Sequence, residues 1–148
     1  MNNIMELSNN PVTKEEIYAT TPEKIWKAIT DKDQMKAWYF DIPDFELKIG
    51  STFNFFEPGD DKKFHHQCTI KEIIPDKKLR HTWSYPDYSK GESMVTWEIK
   101  PEKDKTRLML RHDFIERFID GGKDFAKENF DAGWKEILGK SLKNFLEK

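Results

Sequence analysis

Three histidines of this chain fall where a ligand or a reaction would need them. Strand side chains alternate between faces. At that period His66 shares a face with Phe64, Cys68 and Ile70, His81 with Leu79, Trp83 and Tyr85, and His112 with Leu108, Leu110 and Phe114. All three imidazoles therefore stand in the register of the apolar residues. Two readings follow. Each is a half-buried structural group satisfied by a backbone carbonyl or water, or each is one of the few polar groups that orient a ligand in an aromatic pocket. A cyclase- or dehydratase-type reaction would need a polar pair there, with His81 or His112 beside Tyr85 as acid or base.

Other chemistries find less support. No metal site is expected: His65 and His66 are the close pair, and alternation points them to opposite faces. No cofactor and no catalytic residue is assigned. The chain has no nucleophile elbow, zinc-protease helix, Gly-rich phosphate loop or dinucleotide fingerprint. Cys68 would act as a nucleophile only if a histidine lowered its pKa, and on an apolar strand face it reads as inert core. Asp113 and Glu116 read as solvated charges, and Lys62-Lys63 and Lys77-Lys78 as solubilising pairs at turns.

The positioning elements are strands and one long helix. Residues 13–20 read as a first strand, with Ile17 and Ala19 on one face. Thr21-Pro22-Glu23 is a helix start: Thr caps, Pro takes the first helical position, and Glu complements the dipole. Ile25, Trp26 and Ile29 form its apolar face, and Asp31 or Asp33 opens a second short helix with Met35 and Trp38. Closely spaced runs at residues 51–57, 64–74, 79–85, 93–100 and 106–114 read as an antiparallel meander, with a turn at Pro58-Gly59-Asp60. In the fourth of these runs Val95, Trp97 and Ile99 form the apolar set. Residues 122–148 then carry a helical stripe through Phe130, Trp134, Ile137, Leu138, Ser141, Leu142 and Phe145. Gly133 and Gly139 lie inside that helix, at a cost of about 1 kcal/mol each relative to Ala. They either allow close packing or, at Gly133, open space beside Trp134 for a ligand.

Composition bounds the rest. The 5 Trp, 11 Phe and 4 Tyr predict a core built on rings, since the apolar fraction is only 36%. A net charge of −2 gives no global field for nucleic acid. The single Cys68 excludes an internal disulfide and suits a reducing compartment. Residues 1–10 lack the apolar region of a secretory signal and read as a flexible lead-in, and no run approaches the ~20 apolar residues of a membrane span. The expectation is one cytoplasmic domain over residues 1–148.

The order strand, two short helices, meander and long C-terminal helix resembles the helix-grip (START-like, SRPBCC) superfamily. Within it the chain resembles the branch named for the C-terminal domain of the activator of Hsp90 ATPase. The likeness is carried by Ala19-Thr20-Thr21-Pro22-Glu23-Lys24-Ile25-Trp26-Lys27-Ala28-Ile29-Thr30, by Pro75-Asp76-Lys77-Lys78-Leu79-Arg80-His81-Thr82-Trp83, and by Asn129-Phe130-Asp131-Ala132-Gly133-Trp134. It implies an α+β fold: a curved antiparallel sheet of six to seven strands wrapped around the last helix, with a deep cavity between them. Relatives use such cavities to bind lipids, hormones or polyketides, and some convert them. The co-chaperone that names the branch carries a separate N-terminal domain important for stimulating its partner, whereas this chain starts directly with the grip domain.

The leading expectation is thus a binding module for a small apolar or aromatic molecule. Its site is assigned to Trp38, Phe53, Phe55, His66, Cys68, His81, Trp83, Trp97, His112, Phe130 and Trp134. The alternatives are an enzyme using the same cavity and a protein-interaction module, with an Hsp90-type chaperone as its partner.

Overall fold

The computed structural model describes residues 10–56 and 64–147. The expected lead-in, the Pro58-Gly59-Asp60 turn and the Lys62-Lys63 pair lie outside the described residues, apart from Asn10.

Strand β1 (Val12–Tyr18) leads into two short helices, α1 (Pro22–Thr30) and α2 (Lys32–Trp38). Both start by side-chain capping. Thr21 Oγ1 accepts the Lys24 amide at 3.3 Å, and Asp31 Oδ2 accepts the Gln34 amide at 3.0 Å. Asp31 is also the residue after α1, so one side chain fixes the corner between the helices. Strands β2 (Thr52–Phe56), β3 (His65–Ile74), β4 (Lys78–Ser84), β5 (Glu92–Glu102) and β6 (Lys105–Asp113) follow. The sheet runs β1-β6-β5-β4-β3-β2, antiparallel throughout, with a register shift in β3 between Ile70 and Glu72.

The phase of β1 differs from the sequence expectation. Val12 and Tyr18 face the core, while Ile17 is exposed. Tyr18 is favoured inside because its hydroxyl finds an acceptor, Leu138 O at 2.7 Å. Asp113 also departs from expectation: it is 1% exposed, and Arg111 Nε donates to both its carboxylate oxygens at 3.0 Å. A paired carboxylate tolerates burial that a lone one does not.

The C-terminal rod begins later than residue 122, where the sequence reading starts it. Residues 115–125 are 3-10 turns, Ile115–Gly121 and Lys123–Phe125, broken at Gly122 with φ 91°. Ala126 is extended, and helix α3 starts only at Lys127 (Lys127–Glu136). A π-helical stretch, Ile137–Leu142, joins it without a break to α4 (Lys143–Leu146). The rod measures about 30 Å at 1.5 Å per residue. Widening the helix displaces its regular ladder, and the Leu138 carbonyl in that stretch is the one Tyr18 binds.

The rod lies across the concave face of the sheet. Trp134 touches Trp83 of β4, Trp97 of β5 and His112 of β6, and Leu138 meets Tyr18 of β1. One helix reaching four strands requires the sheet to curl around it. The molecule is an α+β helix-grip domain.

Candidate functional site

Buried indoles organise the interior. An indole N–H only donates, so each enclosed Trp needs an acceptor. Trp38 donates to Ala28 O at 2.8 Å and Trp83 to the Tyr85 hydroxyl at 2.9 Å. Trp97 donates to His81 Nε2 at 3.1 Å, and Trp134 to His112 Nδ1 at 3.0 Å.

Those last two bonds fix the imidazole tautomers. His81 accepts at Nε2, so its proton sits on Nδ1, which donates to Thr82 O at 2.8 Å. His112 accepts at Nδ1, so its Nε2–H donates to Ser93 Oγ at 2.7 Å, and that hydroxyl donates onward to Trp83 O at 2.8 Å. Both rings use both nitrogens. Burial holds His81 down to about 4; burial, helped by His81, holds His112 down to about 3. They are neutral connectors tying the rod and three strands, β4, β5 and β6, together.

His66 differs. Its Nδ1 bonds Phe64 O at 3.0 Å, so the proton sits there and Nε2 carries a lone pair. Among the described residues no group stands in hydrogen-bond geometry at Nε2, and the Phe55 backbone also lies near the ring. The ring stacks on Phe55 at 4.5 Å and 8°, with Trp83 and Tyr85 near its other sides. Burial lowers its pKa to about 4, against the opposing backbone groups of Phe64 and Phe55. It is a neutral acceptor at pH 7.

The cavity lies beside this ring. It measures about 160 Å³, between α3 and the β3–β4 end of the sheet. Trp83, Tyr85 and Phe130 wall it with His66, and Phe40, Phe64 and Phe125 add further rings. Its mouth is on α3, where the exposed Asn129 and Gly133 line it. A methyl group built on Gly133 would meet no atom within 4 Å, so this glycine borders open space and is not a packing contact. Gly139 is the close one: its added methyl would stand 3.2 Å from Glu16 Oε2.

Of the eleven residues named from sequence, His66, Trp83, Phe130 and Trp134 meet at this cavity. Trp38, Phe53, His81 and Trp97 surround a separate void of only about 10 Å³, at the limit for one water. Phe55, Cys68 and His112 are buried and line neither. Burial raises the Cys68 thiol pKa well above its usual value, which leaves it no nucleophilic thiolate at neutral pH. Neither His81 nor His112 lines the cavity that Tyr85 lines; the histidine beside Tyr85 there is His66. Among the described residues no group of three or more His, Cys, Asp or Glu could hold a metal ion, and no helix is long and apolar enough to cross a membrane.

Sequence reasoning assigned no site role to Phe40, Phe125, Asn129 or Ile137, all of which line the cavity. Phe64 was legible, since it alternates with His66. Phe40 gives no local signal, because it lies beyond α2 where no period applies.

A curled antiparallel sheet gripping a terminal helix over a ring-lined hollow defines a START-like domain. The chain belongs to the Activator of Hsp90 ATPase homolog 1-like protein family, whose model matches residues 19–147. Among curated proteins none matches. Solved structures are similar at low identity. DynU16, a protein of the dynemicin biosynthetic locus, shares 19% identity at TM-score 0.78; the match covers 95% of this chain and 48% of that one, so this chain spans about half of DynU16. Protein CV1439 from Chromobacterium violaceum gives TM-score 0.77 at 18% identity, covering 94% and 98% of the two chains. The Aha1 dimer from Colwellia psychrerythraea gives 0.71 at 21%, covering 93% and 96%. At these identities the likeness shows the fold alone.

Proposed function

We propose that this domain binds a small apolar or aromatic molecule in the cavity between α3 and the β3–β4 end of the sheet. The observation that carries the reading is an unfilled space of about 160 Å³ walled by aromatic rings in an otherwise packed core. A comparable void of about 150 Å³ in another protein is large enough to take up benzene, whereas drug-sized sites begin near 300 Å³. The occupant is therefore about one ring in size, or a larger molecule whose remainder extends through the mouth at Gly133. Trp83 and Trp134 line the space, so their fluorescence reports on it. Titration with a panel of one-ring aromatic compounds should change that emission and raise the melting temperature. Silence in both measurements across the panel removes the reading.

Chaperone binding is the second reading, favoured by the family model alone. An Hsp90-type partner would need an exposed apolar face. Among the described residues the two most exposed large apolar side chains, Ile49 at 56% and Ile119 at 87%, lie on separate segments of the chain. Failure of an Hsp90-type chaperone to bind or to change its ATPase rate would remove this alternative.

A further inference from the structure

The three inward histidines all began as candidates for orienting a ligand, but they do not have equal capacity to do so. His81 and His112 spend both ring nitrogens on protein partners. His66 spends only Nδ1, on Phe64 O, and is 5% exposed. No described buried side-chain nitrogen or oxygen that is fully sealed from solvent lacks a partner. The ring lines the cavity, the space into which an unpartnered Nε2 would open. With the proton fixed on Nδ1, that nitrogen can only accept. Of the other polar groups lining the cavity, the Tyr85 hydroxyl accepts from Trp83 and Asn129 gives a side-chain N–H to Lys123 O. Trp83 N–H is already given to Tyr85, and Trp134 N–H to His112, so neither indole offers a donor to a guest. Among the described residues lining the cavity there is no Lys, Arg, Asp or Glu. A carboxylate would enter without a counter-ion and lose its hydration.

Resting on the cavity reading above, we propose that the site selects a neutral one-ring aromatic bearing a hydrogen-bond donor, a phenol-type hydroxyl or an azole N–H, which binds His66 Nε2. The ring of the guest takes the place of solvent among Trp83, Tyr85 and Phe130. The donor then satisfies an acceptor that the folded protein leaves without a protein partner. Ligands of the same shape with no donor fill the space and forgo that bond, and carboxylates are rejected.

The test compares three probes of similar shape at pH 7: p-cresol, p-xylene and p-toluate, with binding read by tryptophan fluorescence and calorimetry. A hydrogen bond to a buried acceptor corresponds to about tenfold in affinity. The expected order is p-cresol at least about tenfold tighter than p-xylene, with no measurable binding of p-toluate. In His66→Phe, which keeps a ring and removes the acceptor, p-cresol should fall to the affinity of p-xylene. A readout that needs no variant is the nitrogen resonance of His66 Nε2, which should shift with p-cresol and not with p-xylene. If p-xylene binds but p-cresol binds no tighter, or the preference survives in His66→Phe, or the Nε2 resonance stays still, the donor-selective site is wrong while the cavity reading stands. If no probe binds, both fall.

Discussion

The two ends of the interior use the same residue types to opposite effect. Around Trp38, Phe53, His81 and Trp97 the rings close on a void of about 10 Å³, and every indole and imidazole nitrogen has a partner. Around His66, Trp83 and Phe130 equally large rings leave about 160 Å³, and one imidazole nitrogen is left to accept. Ring content therefore does not decide whether the grip is solid or hollow. The two ends differ in where the neighbouring strand's indole sends its donor. Leu79 pairs with Trp97, which puts that indole diagonal to His81, within cross-strand reach. His66 stacks on its partner Phe55, which cannot donate, and the β4 indole beside it, Trp83, gives its N–H to the Tyr85 hydroxyl instead.

The largest expected effect is on pH. All three histidines have folded pKa values of about 3 to 4, below the ~6.5 of an unfolded chain, so the unfolded state takes up protons first. Their stabilising contribution is complete above pH ~6.5 and is lost as pH falls toward 4. Each contributes a slope of about 1.4 kcal/mol per pH unit across that window. Between pH 6.5 and about 5 ordinary carboxylates remain ionised, so the slope belongs to the histidines. Urea midpoints that stay flat from pH 7 to 5 would show that the core admits charged imidazole and would erase the distinction from solvated histidine.

Mutation should separate the two ends next. His112→Leu leaves the Trp134 N–H and the Ser93 hydroxyl without their partner. At about 1–3 kcal/mol per stranded group, the loss should be near 3 kcal/mol in equilibrium unfolding. His66→Leu removes only the bond to Phe64 O, beside the cavity, and should cost about 1 kcal/mol. A double-mutant cycle of His112→Leu with Trp134→Phe should show strong non-additivity. Equal losses for His66→Leu and His112→Leu would collapse the comparison.

Much of this was legible in the chain, and the failures have physical causes. Both helix starts were visible because Thr21 and Asp31 carry capping oxygens just before apolar periodicity. The inward placement of all three histidines followed from alternation alone. The phase of β1 was misread because Ile17 looks like the core residue, whereas Tyr18 is drawn inside by an acceptor 120 residues away in sequence. The rod was begun too early, at residue 122, because the 3-10 turn Lys123–Phe125 directly precedes the helix and apolar spacing does not mark the boundary between them. The site itself was the least legible part. Which histidine keeps a nitrogen depends on cross-strand and helix–sheet neighbours, and no local pattern encodes those.

The smallest effect falls on one helix and divides its own two glycines. Gly133 faces the open mouth, so an added methyl meets nothing, while the helix gains the usual preference of Ala over Gly. Gly133→Ala should stabilise the domain by about 0.5–1 kcal/mol, seen as a higher melting temperature. Gly139→Ala must displace the Glu16 carboxylate, 3.2 Å from the new methyl, so its gain should be smaller or absent. A bulkier side chain sharpens the point. Gly133→Phe should keep the fold and obstruct the mouth, so that one-ring probes no longer change tryptophan emission. A Gly133→Phe protein that folds and binds those probes as well as wild type would mean that they enter elsewhere, and Gly133 would then be a helix defect with no bearing on access.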